Sequence, residues 1–380
     1  MKSHHNGLKP LKRIEFNLKG AQNPWLCFDR NRYFYTALQD HSHVPVRIRP
    51  LSCALFAKLR AKNIRGSFIL WNKWAKFARR SLPARTTDHI GQFDFVYGRN
   101  NFHVAIDIAD GRHLHDRQIL DHSDLYFKCN AWPSVAYPQK VVPLINGNGT
   151  LSPEKIEHLK TLRATPKTYD LVYWSRVWAA PGDDPENNGV EHNVRLFEAL
   201  AQVEGKKNLL AVFPRAMNTS SLSVYRDRLD KAGVPWQNGW TGIDSRALWQ
   251  NLAAARISFL RPGNHLCVSW RMMDLLCMGA CIMVDGAPFP EWPEPLRENV
   301  NFIDAGCTLG ADYSMPSSDS YKRMVQKISA LIKDDATVQH IAGNNSQYFD
   351  QYAAMPAISD YILATAENRF TRAPAETAGH

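Results

Sequence analysis

A serine, an arginine and an aspartate stand close together at Ser269, Arg271 and Asp274. Ser269 suits the amino-terminal cap of a helix, and the free amides of a first helical turn bind phosphate oxygens. Arg271 can add a bidentate contact to a phosphate. Asp274, on the same side of that helix, can accept two hydrogen bonds from the diol of a ribose. The spacing therefore predicts a nucleoside-diphosphate site, with a plain helix cap and a surface ion pair as the alternative.

Three arginines follow predicted strands and extend this candidate site. The turn Arg261-Pro262-Gly263 comes directly after the apolar run RISFL, so it is expected at the carboxyl edge of a parallel sheet, where ligands bind. Arg176 and Arg215 follow the strands YDLVYW and NLLAVF in the same way. All three are candidates for binding the phosphates of the nucleoside diphosphate. Arg176 and Arg215 can equally be surface residues.

The first half of the chain carries a second group of residues that could do chemistry. Asp107 lies in the apolar run HVAIDI, Asp110 makes the turn after it, and Lys128 ends the next strand. A carboxylate or imidazole here could act as a general base that takes the proton of a substrate hydroxyl, and Asp110 is the first candidate, Asp107 the second and His113 the third. Lys128 is the candidate for binding the molecule that carries this hydroxyl. In the alternative interpretation Asp110 only makes a turn and Asp107 pairs with a buried base.

These residues need a scaffold of alternating strands and helices. The first half contains short apolar strands at 92–97, 103–108, 125–128 and 141–145. The second half alternates strands and helices from 169 to 284, and its near-continuous apolar strands are typical of a parallel sheet that is covered on both faces. The sequence therefore predicts an α/β fold, with the polar run Asn146–Gly149 near the boundary between two domains.

The residues Pro262-Gly263, Ser269-x-Arg271-x-x-Asp274, Gly279 and Asp285 resemble a motif of exostosin-like glycosyltransferases, and more loosely the carboxyl-terminal domains of other GT-B enzymes. The resemblance covers about 35 residues, from Ala255 to Pro290. Leu266 replaces the first of the paired glutamates of many retaining GT-B enzymes, so the stereochemical outcome stays open.

The resemblance implies a GT-B-like α/β fold of two Rossmann-like domains that face a central cleft. An acceptor-binding domain is expected over residues 1–150 and a nucleotide-sugar-binding domain over 168–350, with a helix at 351–370 crossing back to the first domain. The implied function is transfer of a sugar from a nucleotide-sugar donor to a hydroxyl of a glycan or lipid-linked glycan, in bacterial surface polysaccharide or lipopolysaccharide synthesis. No metal and no other cofactor is expected, because amides and arginines neutralise the diphosphate in GT-B enzymes.

Charge and composition indicate an anionic surface as a partner and argue against a zinc site, a signal peptide and a membrane span. The chain has 380 residues and a net charge of +10. The region 47–85 has many basic and aromatic residues and no acidic one, which suits an anionic membrane surface or simply a solvated helix face. The chain has seven cysteines without zinc-site spacing, no signal peptide and no apolar run of membrane-spanning length.

We therefore expect a cytoplasmic enzyme with buried, reduced thiols, with peripheral attachment at the inner membrane as a further option. Two other functions stay open at this point. A non-catalytic relative that binds nucleotide sugars or glycans would share the same donor motif. A basic nucleic-acid-binding protein would explain the charge, but the sequence contains no known nucleic-acid-binding motif, and we expect no nucleic-acid partner.

Overall fold

The computed structural model describes residues 10–19, 21, 23–50, 88–147, 149–177, 186–205, 207–214, 223–235, 245–263, 266–285, 290–310 and 312–372. The described chain divides into two compact units. Unit 1 comprises residues 1–152, 290–294 and 351–380, and unit 2 comprises residues 153–289 and 295–350.

Unit 1 is built on a mixed sheet. Its elements are β1 (Leu11–Asn17), α1 (Pro24–His41), β2 (Val46–Arg49), β3 (Ile90–Tyr97), β4 (Asn100–Asp107), α2 (Arg117–His122), β5 (Leu125–Lys128) and β6 (Val141–Pro143). The six strands lie in the order β2-β1-β3-β4-β5-β6. The central strand β3 is antiparallel to β1 and β4, whereas β4, β5 and β6 run parallel.

Unit 2 is built on a parallel sheet. Its elements are α3 (Pro153–Thr161), β7 (Tyr169–Val177), α4 (Glu186–Leu200), β8 (Asn208–Pro214), α5 (Ser223–Lys231), α6 (Ser245–Ala253), β9 (Ala255–Leu260), α7 (Arg271–Cys277), β10 (Ile282–Val284), β11 (Ile303–Asp304), α8 (Ser318–Leu331) and α9 (Asp335–Tyr348). The five strands lie in the order β11-β10-β9-β7-β8, and every pair is parallel.

The core of unit 2 forms because its strands are apolar on both sides. Leu171, Ile257 and Met283 are fully buried in three neighbouring strands, and α4 and α8 contribute Phe197 and Ile328 to the same cluster. Burying side chains of this size contributes about 1.5–3 kcal/mol each. The α/β fold class that the sequence predicts is confirmed; the placement of two Rossmann-like domains across a cleft stays a prediction.

The last helix, α10 (Met355–Arg372), belongs to unit 1. It packs along α1, and the hydroxyl of Tyr33 donates to the carbonyl of Ala353 at 2.6 Å, just before the helix begins. Near the other end of α10, Phe370 stacks on Tyr97 with ring centroids 4.0 Å apart. Unit 1 is therefore completed by the end of the chain.

Two local expectations were wrong. The stretch 182–193 reads as a loop, but residues 186–193 form the first turns of α4, and residues 178–185 lie outside the described ranges. The helix expected to begin at Ser269 is α7, which begins at Arg271 after Trp270. At 186–189 the run Glu-Asn-Asn-Gly hides the start of the helix α4.

Candidate functional site

The strand order of unit 2 defines where a ligand would bind. In the order β8-β7-β9-β10-β11 the chain turns back between β7 and β9, so helices leave these two strands toward opposite faces of the sheet. In open α/β sheets the crevice beyond the carboxyl ends of two such strands is the usual ligand site. Here that point is formed by Ser175 at the end of β7 and Arg261 after β9.

Arg271 reaches this switch point from α7. Its guanidinium Nη1 donates a hydrogen bond to the carbonyl of Trp174 in β7. Burial lowers the pKa of Arg271, opposed by the Asp274 carboxylate, and an arginine stays charged under such a shift. Ser269 is not the residue before the helix, yet its hydroxyl accepts a long hydrogen bond from the Arg271 amide at 3.4 Å. The predicted pair of Ser269 and Arg271 is thus brought together at the end of β7.

The turn between β9 and α7 is tightly built. The Gly263 amide donates to the carbonyl of Cys267 at 2.9 Å, and a Cβ at Gly263 would lie 2.6 Å from the Cys267 sulfur. Leu266 within this turn is buried and has a positive φ of 58°, which is a strained conformation for a residue with a branched side chain. Strain of this kind persists where the surroundings enforce it, and it is common at ligand-binding turns.

Asp274 does not point into open space. It is buried, and its Oδ2 accepts a hydrogen bond from the indole nitrogen of Trp249 in α6 at 3.0 Å. This bond fixes α7 against α6 and occupies one of the carboxylate oxygens that a ribose diol would need. Its expected role in ribose binding stays a prediction.

The sequence analysis missed a buried group next to Arg261. His192 of α4 and Asp285 after β10 are both almost completely inaccessible, and His192 Nε2 lies 3.1 Å from Asp285 Oδ2. Arg261 Nε lies 3.8 Å from the same oxygen. The signal was hard to find because His192 sits in the stretch that reads as a loop.

A second network orders the end of β7. Asn193 of α4 accepts a hydrogen bond from the Tyr173 hydroxyl at 2.6 Å and donates to the Ser175 hydroxyl at 3.2 Å. Burial raises the pKa of Tyr173, while the nearby guanidinium groups of Arg261 and Arg271 oppose the shift. Both arginines therefore lie within electrostatic range of the same buried tyrosine.

The other two donor-site arginines are described less fully. Arg176 is the second-last residue of β7, so its backbone lies at the switch point, while its side chain is outside the description. Arg215 lies outside the described residues. Their predicted roles stay predictions.

In unit 1, Asp107 and Lys128 meet inside the protein. Lys128 Nζ and the Tyr126 hydroxyl donate to Asp107 Oδ2 at 3.0 and 2.8 Å, and both charged side chains have no exposed surface. Asp107 Oδ1 accepts from the Ala109 amide at 2.8 Å. This is the buried pair of the alternative interpretation, and Asp107 could act as a base or Lys128 bind an acceptor only if the pair opened.

Asp110 lies in a more accessible and more basic setting. It is half-buried in the turn before Gly111, whose φ is +86°, and the His115 Nε2 lies 3.0 Å from its carbonyl. Burial lowers the pKa of His89, further lowered by Arg30 and opposed by the Asp110 carboxylate. His89 was missed because only the antiparallel pairing of β3 with β4 brings it to the end of β4, and Arg30 was missed because it comes from α1, far away in the sequence.

The remaining expectations concern exposed and undescribed residues. His113 is exposed. Within the described ranges, histidine, cysteine, aspartate and glutamate side chains form no group of three or more that could hold a metal ion. The basic region 47–85 lies outside the description except for residues 47–50. Among the described residues no helix has the length and apolarity of a membrane span.

The described cysteines agree with the expectation of buried thiols. They are free and buried, at Cys27, Cys129, Cys267, Cys277, Cys281 and Cys307. Burial raises the pKa of Cys27 and Cys281 to about 12. These thiols are thus protonated at neutral pH and poor nucleophiles.

No protein-family model and no curated protein sequence matches the chain. Among solved structures, the chain is similar to Anabaena HepE in complex with UDP and glucose, at 14% identity and a TM-score of 0.46, over 94% of this chain and 100% of that one. It is similar to a glycosyltransferase from Rickettsia africae, at 11% identity and a TM-score of 0.43, over 88% and 87% of the two chains.

The chain is also similar to WaaG, a glycosyltransferase involved in lipopolysaccharide biosynthesis, at 14% identity and a TM-score of 0.36. That likeness covers 65% of this chain and 60% of WaaG. What the chain shares with these proteins is a likeness of fold.

Proposed function

We propose that the protein is a glycosyltransferase that binds the diphosphate of a nucleotide sugar at the switch point of unit 2 and transfers the sugar to a hydroxyl. The observation that supports the proposal is that both strands at the switch point have an arginine next to them. Arg261 follows β9 directly, and Arg271 is hydrogen-bonded to the Trp174 carbonyl of β7. The resemblance of this segment to the donor motif of exostosin-like enzymes supports the same assignment.

The proposed chemistry follows from charge. The leaving nucleoside diphosphate gains negative charge as its bond to the sugar breaks. Positive groups that are already in place stabilise this charge more in the transition state than in the ground state. Two guanidinium groups do so without a divalent cation, so we propose a metal-independent reaction whose rate does not change when EDTA is added.

The acceptor side of the proposal lies in unit 1. We propose Asp110 as the general base, because it is half-buried and within electrostatic range of His89 and Arg30, whereas Asp107 has no exposed surface. The acceptor class proposed is a glycan or lipid-linked glycan of a bacterial surface polysaccharide or lipopolysaccharide. Peripheral attachment to the inner membrane through the region 47–85 is part of this proposal.

The direct test is binding of nucleoside diphosphates. We expect one of UDP, GDP, dTDP and ADP to raise the melting temperature in a saturable way, and Arg271→Ala to remove the shift. Arg323→Ala in α8, whose guanidinium bonds Ser320, is the matched control and should keep the shift. If no nucleotide changes the melting temperature of the native chain, the proposed function is wrong.

A non-catalytic nucleotide-sugar-binding protein is the second candidate. The burial of Asp107 and Lys128 in one ion pair favours it, because it removes two predicted catalytic-side residues from contact with a substrate. Incubation with a set of nucleotide sugars and glycan acceptors, followed by release of the nucleoside diphosphate, separates the two functions. Binding without release in any combination would favour the second.

A further inference from the structure

A chain of polar contacts between buried side chains leads to the partly exposed Arg261 in unit 2. The Tyr321 hydroxyl of α8 lies 2.7 Å from His192 Nδ1, and His192 Nε2 lies 3.1 Å from Asp285 Oδ2. Arg261 Nε lies 3.8 Å from that oxygen. We call these four residues the relay. It joins α8, α4 and the ends of β10 and β9 in one line of polar contacts.

The hydrogen-bonding pattern fixes the state of His192. A carboxylate only accepts, so Nε2 must carry the proton that is donated to Asp285, and the neutral ring then accepts from the Tyr321 hydroxyl at Nδ1. Burial lowers the pKa of His192, opposed by Asp285, and burial raises the pKa of Tyr321. Arg195 and Glu191 of α4 and Cys307 after β11 are the other charged or titratable groups that act on the relay.

The distance between the Asp285 carboxylate and the Arg261 guanidinium is longer than a hydrogen bond. A direct hydrogen bond between an arginine and a carboxylate is about 2.7–2.9 Å long, and 3.8 Å is well beyond it. The second oxygen of Asp285, Oδ1, is buried and has no hydrogen-bond partner among the described residues. The donor from His192 is thus the closest polar contact that holds the carboxylate in place.

The guanidinium of Arg261 lies against a helix terminus, which favours a second anion beside it. Its Nη2 would lie 3.0 Å from a Cβ on Gly189, so the guanidinium rests against the first turn of α4. The amino-terminal end of a helix carries a partial positive charge. A guanidinium at this place is therefore balanced on one side by Asp285, and it can be balanced on the other by a diphosphate.

We propose that His192 is a positioning residue for the diphosphate site. Its hydrogen bond keeps the Asp285 carboxylate from pairing closely with Arg261, so that the Arg261 guanidinium can bind the diphosphate. This rests on the proposed function and adds the part of the protein that prepares its donor site. Without the His192 N–H, the buried carboxylate has to find another partner, and Arg261 is the nearest cation. The Arg261 guanidinium would then form a close ion pair with Asp285 and would no longer bind the diphosphate.

The test measures nucleoside-diphosphate affinity by calorimetry, with UDP, GDP, dTDP and ADP as probes. His192→Phe removes the donor, and we expect about tenfold weaker binding, the usual effect of losing a hydrogen bond to a charged group. His192→Gln keeps an N–H donor and should stay within about threefold of the native affinity. The matching nucleoside monophosphate should lose less than the diphosphate.

A coupling experiment separates positioning from a general effect on folding. In the Arg261→Ala background, His192→Phe should cause no further loss, because its effect passes through Arg261. A full additional loss in that background, or equal losses for His192→Gln and His192→Phe, would overturn the proposal. If His192→Phe does not fold, Tyr321→Phe is measured instead. It should weaken nucleoside-diphosphate binding about threefold in the native chain and should have no effect in the Arg261→Ala background.

Tyr348→Phe is the matched control, since it removes a buried tyrosine hydroxyl of unit 2 outside the relay, and it should not change the affinity. A native chain that binds none of the probes overturns the proposed function and the relay with it. A native chain that binds a diphosphate while the variants behave additively overturns the relay alone.

Discussion

Asp107 and Lys128 are the charged pair of unit 1 that lost all contact with water on folding. Removing one partner leaves the other charge buried without compensation, whereas replacing both with apolar groups can be nearly neutral. We expect Asp107→Ala or Lys128→Met to lower the free energy of unfolding by about 3–5 kcal/mol. The double variant Asp107→Leu/Lys128→Met should lose much less. Urea denaturation measures both.

The control is Asp94→Ala, which removes a more exposed carboxylate that pairs with His103, and it should cost under about 1 kcal/mol. Loss of sugar transfer in a double variant that keeps native stability would contradict a purely structural role for the pair.

Two histidines, the buried His192 and the half-buried His89, make the free energy of unfolding depend on pH. Burial lowers the pKa of His192 and of His89 in the folded chain, while both titrate near their ordinary value of 6.5 when unfolded. As the pH falls below 6.5, the unfolded chain binds protons that the folded chain does not, so the free energy of unfolding falls. The stabilisation is complete above pH 6.5. We expect a lower urea midpoint at pH 5.5 than at pH 7.

His192→Gln and His89→Gln should each flatten this dependence, since glutamine does not titrate. A midpoint that rises on acidification would show that these histidines are protonated in the folded chain.

The sequence indicates the chemistry that single residues could do, but not their surroundings. The phosphate-binding role of Arg271, predicted from its place in the first turn of a helix, stays a prediction, and the structure adds its bond to Trp174. The pairing of Asp107 with Lys128 could be foreseen from neighbouring strand ends, but its complete burial could not. His192 gave no signal, because a buried histidine owes its role to side chains more than 90 residues away in sequence.

At the scale of the element, the turn from β9 to α7 depends on the small size of Gly263. A Cβ there would lie 2.6 Å from the Cys267 sulfur, and the turn carries Arg261 at one end and Arg271 at the other. We expect Gly263→Ala to lower the melting temperature and to weaken nucleoside-diphosphate binding. Calorimetry and thermal unfolding measure the two effects.

Cys267→Ala removes the sulfur and should restore much of both properties in the Gly263→Ala background, although it costs some stability alone. The pair is thus a double-mutant cycle for one contact. Equal losses with and without the sulfur would mean that Gly263 is needed for its backbone conformation instead.

Helices and strands were predicted to different degrees, for physical reasons. The apolar strands of unit 2 were found because a parallel sheet buries both faces of a strand. The helices α1 and α9 were missed because their apolar and polar residues are not well separated around the helix. The first turn of α4 was missed because the run Glu186-Asn187-Asn188-Gly189 is typical of a loop.

At the scale of the whole molecule, the end of the chain is a structural part of unit 1. Phe370 of α10 stacks on Tyr97 and meets the edge of Phe102 at 5.9 Å. We expect Phe370→Ala to lower the free energy of unfolding of unit 1 by about 2 kcal/mol. Phe370→Leu should lose less, because it keeps apolar contact without the ring.

In Phe370→Ala, hydrogen exchange resolved by peptide should show a loss of protection in β3 and β4 and little change in β7 to β9. Thr371→Ala is the control, since its exposed hydroxyl bonds only to the nearby Asn368 carbonyl among the described contacts. Equal loss of protection in both units would contradict the assignment of α10 to unit 1.

Unit 2 lies inside the sequence of unit 1, and this arrangement has a consequence for biosynthesis. Residues 1–152 leave the ribosome before unit 2, and α10 at 355–372 emerges after unit 2. At ordinary translation speed the interval between residue 152 and α10 is roughly 10–40 s. Over that time α1 lacks the helix that covers it, while the strands of unit 2 are synthesised and can pair. The amino-terminal part of unit 1 is therefore made before unit 2, but its packing against α10 can form only after unit 2 has been made.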